Sequence, residues 1–74
     1  MRRDGEVVYS LDRTLAIIDA GVLLAIDNAP TDPVAHRHIV AAVPWGSNSV
    51  TRSLARLRAT GQVCSPRRTY WRLL

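Results

Sequence analysis

Residues 47–63, which read SNSVTRSLARLRATGQV, decide the predicted fold. Val50, Leu54 and Leu57 recur at the spacing of one buried face on an α-helix. Gly61 follows in the same register and is a natural C-terminal stop for that helix. Ser47 or Asn48 can cap its N-terminus, since either side chain can accept a hydrogen bond from a free backbone N–H group. The pattern therefore predicts a helix over residues 47–60.

The outward face of this helix is predicted to be basic and partly small. With Val50 marking the core direction and a rotation of about 100° per residue, the residues that point away are Asn48, Ser49, Arg52, Ala55, Arg56 and Ala59. Arginine suits guanine edges in the major groove of DNA, and asparagine suits adenine. Thr51 and Arg58 lie on the flank, where phosphate is the expected contact. The alternative is a solvated helix face that happens to be basic.

A β-hairpin is predicted after this helix, over residues 62–74. Val63, Trp71 and Leu73 alternate with polar neighbours, as in a short strand pair with one covered face. Residues 65–68, Ser-Pro-Arg-Arg, are typical of a turn. Tyr70 and Arg72 share the other face of the last strand, where they either add phosphate contacts or simply cover the sheet.

Upstream, the spacing predicts a long first helix over residues 11–28. From Leu15 onward, Ile18, Val22, Ile26 and Ala29 recur at helical spacing, and Leu11 precedes them in phase. Pro30 ends the helix. Ser10 or Asp12 is the expected cap. Residues 1–10 are expected to form an N-terminal arm, or a short strand over 6–9.

Thr31-Asp32-Pro33 predicts the start of a second helix, because an acceptor side chain precedes proline at the first helical position. This helix is expected over residues 33–43 and must stop before Pro44. Trp45 lies in the following turn, either filling the core between helices or standing exposed as an anchor for a partner.

The first helix is apolar on nearly all sides. Opposite its core positions lie Ile17, Ala20 and Leu24. A helix of this kind needs cover on both sides. The cover is either the N-terminal segment or a second copy, and we expect a homodimer through these three residues.

Residues 47–63, with 67–73 (RRTYWRL) after them, resemble the recognition helix and wing of the winged helix-turn-helix family. The resemblance covers roughly residues 33–74. It implies one domain over residues 1–74, mainly α with a small β-hairpin wing and three helices. Family members usually have a short strand between the first two helices. Here that strand is expected to be vestigial or to be replaced by residues 6–9.

The same resemblance implies binding to double-stranded DNA, with the third helix in the major groove and the wing along the backbone or minor groove. The implied contacts on the recognition helix are Asn48, Ser49, Thr51, Arg52, Arg56 and Arg58. Those of the wing are Arg67, Arg68, Thr69, Tyr70 and Arg72.

The charges divide sharply along the chain. Before Pro33, three arginines stand against six acids; from Pro33 onward there are seven arginines and no acid. The formal net charge of +4 therefore splits into about −3 and about +7, a division that favours a polyanionic partner. The acids are expected to face away from that partner.

Other function classes find little support. No nucleophile–base arrangement, phosphate loop or metal-ligand spacing is present, so we expect neither an enzyme nor a cofactor. His36 and His38 point about 200° apart on a helix and cannot share a metal. Cys64 is the only cysteine, which excludes an internal disulfide and suits a cytoplasmic protein, associated with the nucleoid if bacterial or phage. The apolar segment 15–26 is too short to span a membrane, and no small-molecule ligand is evident.

The sequence thus predicts a small transcriptional regulator. Two alternatives use the same fold. One is a protein–protein interaction module that modulates another regulator or a replication protein, docking through Trp45 and the first helix. The other is an architectural factor that shapes DNA in recombination.

Overall fold

A computed structural model describes the backbone of residues 2–74 and the side chains of residues 13–74. Three helices and three strands follow in the order α1 (Arg2–Asn28), β1 (Val34–Ala35), α2 (His36–Ala42), α3 (Ser47–Ala59), β2 (Val63–Arg67) and β3 (Tyr70–Leu73). The strands form one antiparallel sheet in the order β1-β3-β2. The chain is therefore mainly helical with a small sheet, as expected. None of the described helices is both long enough and apolar enough to cross a membrane.

One core joins all the elements. Its fully or almost fully buried apolar residues are Ile18, Val22 and Ile26 of α1, Val34 of β1, Ile39 of α2, Val50, Leu54 and Leu57 of α3, and Val63 of β2. The periodicity predicted the three buried apolar residues of α1 and of α3, although Leu15, expected in the same stripe of α1, is only half-buried. Trp45 and Trp71 are partly buried and pack against this core. Trp45 is thus a core-side residue rather than an exposed anchor.

The predicted start of the second helix at Pro33 is wrong. Val34 and Ala35 form β1 instead, opposite Trp71 and Tyr70 of β3, and the His36 N–H donates to the carbonyl oxygen of Thr69 at 2.8 Å. Burial of Val34 in the core favours this pairing over a first helical turn. The strand between the first two helices is therefore present, although only two residues long.

Helix α1 begins well before the predicted position. It includes residues 2–10, where an arm or a short strand over 6–9 was expected, and it passes through the proposed caps Ser10 and Asp12. The sequence offers a reason, because Val7 and Leu11 continue the spacing of Leu15 and Ile18 without a proline to interrupt it. Met1 lies outside the described residues.

Helix α3 begins at the predicted residue and ends at Ala59, one residue before the predicted end, but it is capped differently. Gly46, not Ser47 or Asn48, occupies the N-cap position, and no side chain makes a capping bond there. The first helical hydrogen bond runs from Val50 N–H to the Gly46 carbonyl oxygen at 3.1 Å, so Ser47 and Asn48 are already helical. At the other end Gly61 has a φ of +76°, a left-handed conformation that favours glycine after a helix.

Gly21 lets Trp45 lie directly on α1. A Cβ atom added at Gly21 would come within 2.6 Å of Trp45 Cζ3 and 2.7 Å of Cη2. The indole ring therefore occupies the space that the side chain of any residue other than glycine would need at position 21.

We predict that Gly21→Ala lowers the free energy of unfolding by about 1 to 3 kcal/mol, because overpacking outweighs the better helix propensity of alanine. Urea unfolding measures this. In a Trp45→Leu background, which removes the clashing ring atoms, the same substitution should stabilise by up to about 1 kcal/mol. Stabilisation in the wild-type background would contradict the packing described.

Candidate nucleic-acid interface

Helix α3 turns a narrow face into the core and a wide face outward. Val50, Ser53, Leu54 and Leu57 are buried. Ser49 is half-buried, while Asn48, Thr51, Arg52, Ala55, Arg58 and Ala59 are exposed. Among the described residues, neither the Arg52 nor the Arg58 side chain has a hydrogen-bond or ion-pair partner. The outward face thus offers two available guanidinium groups beside small alanines.

Arg56 is not on this available face. Its Nη2 donates to Oδ1 of Asp19 at 2.7 Å and its Nε donates to Oδ2 at 3.2 Å, so the guanidinium forms hydrogen bonds with both carboxylate oxygens. Such a two-point pair is stronger and more directional than a single ionic contact. Arg56, expected to read bases, is instead held against α1.

Ser53 completes this cluster from the buried side of α3. Its Oγ donates to Oδ1 of Asp19 at 2.6 Å, and the side chain has no exposed surface. A buried hydroxyl without a partner would destabilise the fold by roughly 1 to 3 kcal/mol. Asp19 therefore satisfies Ser53 and Arg56 together, and we call these three residues the Asp19 clamp.

The clamp keeps Asp19 ionised. Partial burial alone would raise the pKa of Asp19, but hydrogen bonds from Arg56 and Ser53, with the charge of Arg56, lower it below its ordinary value. Reciprocally, the hydrogen bond to Asp19 raises the pKa of Arg56 against a smaller effect of burial. Both groups are charged at neutral pH, so the clamp joins α1 to α3 under ordinary conditions.

The β2–β3 hairpin presents arginines at its tip. Its turn lies at Arg68 and Thr69, whereas the predicted turn covered residues 65–68, of which 65–67 belong to β2. The Ser65 hydroxyl lies 2.9 Å from the carbonyl oxygens of Arg67 and Tyr70 and shares its single proton between them. Thr69 adopts a φ of 63°. Arg67 lies over the ring of Tyr70, 4.3 Å from its centroid, in a cation–π contact. Arg68 and Thr69 are exposed.

Arg72 differs from the other hairpin arginines. Its Nη2 donates to Oδ2 of Asp32 at 3.1 Å, and both side chains are largely exposed. An exposed pair of this kind contributes little stability. The pair matters for charge instead, because Asp32 balances the charge of Arg72 within the molecule.

A chain of contacts brings α3 and the hairpin tip together. Thr51 Oγ1 and His36 Nε2 form a hydrogen bond of 3.2 Å, and the backbone of His36 bonds to Thr69. A groove of about 520 Å³ also runs between α3 and β3, lined by Thr51, Ala55, Arg58, Ala59 and Trp71. The available arginines of α3 and the tip of the hairpin thus belong to one continuous surface, which we call the arginine surface: Asn48, Thr51, Arg52, Arg58, Arg67, Arg68 and Thr69.

No metal-binding cluster is found among the described residues, since no three His, Cys, Asp or Glu side chains converge there. Comparison with known proteins gives no match to a protein-family model, a curated protein or a solved structure at a significant level. The interpretation of the arginine surface therefore depends on its own geometry and charge.

The pairing of Arg56 with Asp19, and of Asp19 with Ser53, was not predicted from the sequence. A signal was present for each residue. Asp19 is the single acid within the apolar segment 15–26, and Ser53 falls in the buried stripe of α3 between Val50 and Leu54. A lone acid and a lone hydroxyl in apolar stripes need polar partners, and their own stripes offer none.

We predict that Asp19→Asn lowers the free energy of unfolding at pH 7 by about 1 to 2 kcal/mol, because the amide cannot accept both guanidinium hydrogen bonds. The pKa of Asp19 is lowered in the folded state, so the ionised carboxylate contributes to the stability of the wild-type protein. This contribution is complete above the unfolded pKa of about 3.9 and is lost as the pH falls through the folded pKa. Denaturation at pH 7 and at successively lower pH should therefore show the difference from wild type narrowing below pH 4.

Asp27→Asn is the matched control. Asp27 is an exposed carboxylate of the same helix with no hydrogen-bond or ion-pair partner among the described side chains, so its substitution should change stability by less than about 0.5 kcal/mol. Equal losses in the two variants, or a difference independent of pH, would contradict the role given to the clamp.

Proposed function

We propose that this protein is a winged helix-turn-helix protein that binds double-stranded DNA and acts as a small transcriptional regulator. The observation that carries the proposal is the arginine surface. Two helices joined by a short turn, α2 and α3, are followed by an arginine-tipped hairpin whose tip lies beside α3. This arrangement suits a helix in the major groove and a loop on the neighbouring backbone. A cytoplasmic location at the DNA follows from this proposal.

The available charge supports the proposal. Of the seven arginines after Pro33, Arg56 and Arg72 bond to carboxylates. The other five, Arg37, Arg52, Arg58, Arg67 and Arg68, have no carboxylate partner among the described residues. Each arginine that neutralises a phosphate releases counterions, so affinity should fall steeply with salt.

Roles follow from position on the arginine surface. Arg52 and Asn48 are exposed on the wide face of α3, where Ala55 allows close approach to base edges. Thr51 and Arg58 flank them, and Arg67 and Arg68 extend from the hairpin, so these four residues would contact phosphate. Arg56 would act indirectly, by fixing α3 against α1 through the Asp19 clamp.

A second candidate is a protein–protein interaction module. Ile17 and Leu24 of α1 support it, because 62% and 59% of their surfaces are exposed. Trp45, the other expected anchor, instead packs on Gly21.

An architectural role in recombination would use the arginine surface as well and would differ by bending the DNA. The homodimer expected through Ile17, Ala20 and Leu24 would let two copies read two half-sites.

We predict that Arg52→Ala weakens binding to a selected preferred duplex by about 1 to 3 kcal/mol and relaxes specificity at the contacted base pair. Site selection from random duplexes, followed by fluorescence anisotropy with each variant, measures both effects. Arg37→Ala is the matched control, since Arg37 is an exposed arginine of α2 outside the arginine surface; it should leave the preferred base pairs unchanged.

We predict that Arg68→Ala weakens binding to every sequence and reduces the slope of log affinity against log salt by about one unit. Arg72→Ala is the matched control within the hairpin. Because Arg72 already bonds to Asp32, its removal should change the slope less. The proposal fails if the wild-type protein shows no duplex binding in anisotropy at low salt.

A further inference from the structure

A second polar cavity lies outside the arginine surface, between β1, α2 and β3. Its volume is about 480 Å³, and its polar lining residues are Thr31, Arg37, His38 and Tyr70. Small-molecule sites in proteins commonly measure about 300 to 1,000 Å³. None of its lining residues belongs to the arginine surface or to the Asp19 clamp, so the cavity is a separate feature. We call it the Arg37 pocket.

Strand pairing forms one wall of the Arg37 pocket. Ala35 lies opposite Tyr70 in the β1–β3 ladder, so their side chains share one face of the sheet. Val34 is buried in the core, and by alternation Ala35 and Tyr70 lie on the other face. The short side chain of Ala35 leaves room beside the Tyr70 ring. Arg67 lies over that ring and adds a positive charge at the edge of the pocket.

Helix α2 forms the other wall. Ile39 is buried in the core, and at about 100° per residue Arg37 and Ala41 point about 200° away from it. His38 follows Arg37 and lines the same pocket. Arg37, His38 and Ala41 are all exposed. The short side chain of Ala41, one turn beyond Arg37, leaves space for a ligand next to the guanidinium.

The pocket offers hydrogen-bond donors, and no carboxylate is among its lining residues. Arg37 has no carboxylate partner among the described residues, and the hydroxyls of Thr31 and Tyr70 form no hydrogen bond there. The Asp32 carboxylate, next to Thr31 in the sequence, instead accepts a hydrogen bond from Arg72. The positive charge of the Arg37 pocket is therefore unbalanced, and an anion would neutralise it.

The arrangement of the donors favours a phosphate group over a carboxylate. Thr31 precedes β1, Arg37 and His38 belong to α2, and Tyr70 belongs to β3. Donors on three separate elements suit the tetrahedral phosphate, whose oxygens point in several directions, whereas the two carboxylate oxygens lie in one plane. The arginine fork can bind two phosphate oxygens at once.

The rest of the lining is apolar and consists of Pro33, Ala35 and Ala41. Small-molecule sites typically combine such walls with a few polar groups that orient the ligand. The apolar walls suit the organic part of a phosphate ester, for which inorganic phosphate has no counterpart.

We propose that the Arg37 pocket binds a small phosphate monoester. Arg37 and His38 hold the phosphate oxygens, the hydroxyls of Thr31 and Tyr70 donate to the same group, and the organic part lies against the apolar walls. No such ligand was evident from the sequence, because residues of separate elements form the pocket only in the fold. The site goes beyond the proposed DNA binding and does not depend on it.

Titration of the full chain with phenyl phosphate in the absence of DNA tests the proposal, with nuclear magnetic resonance of the arginine Nε–Hε groups as the readout. The expected result is a saturable shift of the Arg37 signal with a dissociation constant of about 1 mM or lower. Arg37→Ala should raise this constant about 10-fold or more, because charge-assisted hydrogen bonds are lost. Tyr70→Phe keeps the ring and should raise it about 2- to 10-fold through loss of the hydroxyl.

Arg68→Ala is the matched control, since it removes an equal charge from an exposed arginine of the hairpin tip outside the pocket. It should leave the dissociation constant within about twofold of wild type. Benzoate, which carries a planar carboxylate on the same ring, should bind about 10-fold more weakly or worse. Thermal unfolding checks that each variant is folded; Arg37 is exposed, so little change is expected there.

The absence of a saturable Arg37 shift with phenyl phosphate would overturn the proposal. Equal weakening by Arg37→Ala and Arg68→Ala would overturn it as well, because that is the behaviour of diffuse positive charge. Benzoate binding as tight as phenyl phosphate binding would contradict the phosphate assignment. A shift of Arg37 with a short duplex but not with phenyl phosphate would assign the pocket to the nucleic-acid interface instead. Failure of DNA binding at the arginine surface would leave this site unaffected.

Discussion

The ion pair between Asp19 and Arg56 is the contact on which the interpretation of the arginine surface depends. It joins the longest helix to α3, and Ser53 adds a second bond to the same carboxylate. Apolar packing of α1 and α3 in the shared core does not by itself fix the rotation of α3, because neighbouring apolar positions can exchange roles. A two-point pair is directional. It therefore helps determine which side chains of α3 face outward.

The clamp also changes the meaning of the charge division in the sequence. The acids before Pro33 are not simply turned away from the basic part, since Asp19 and Asp32 bind Arg56 and Arg72 directly. Two arginines are thereby balanced within the molecule. The remaining five concentrate the available charge on fewer positions than the sequence suggested, and Arg52 rather than Arg56 becomes the main candidate for base contact.

The sequence predicted the helices better than the segments that connect them. Periodicity identified the buried residues of α1 and α3, because burial of one face leaves a regular pattern. The capping signal at Thr31-Asp32-Pro33 predicted a helix start that is wrong. Val34 and Ala35 pair instead with the distant strand β3, and local signals carry no information about such a partner. The clamp was missed for a related reason. Asp19 and Arg56 lie 37 residues apart, and only the packed fold shows that they meet.

The central claim is that the exposed face of α3 and the hairpin tip contact duplex DNA while Arg56 stays bound to Asp19. Nuclear magnetic resonance of the arginine Nε–Hε groups, recorded during titration with a short duplex at low salt, tests it most directly. The account predicts shifts for Arg52, Arg58 and Arg68, with the Arg56 signal nearly unchanged. Unchanged signals from Arg52 and Arg68, or a dominant shift at Arg56, would contradict it.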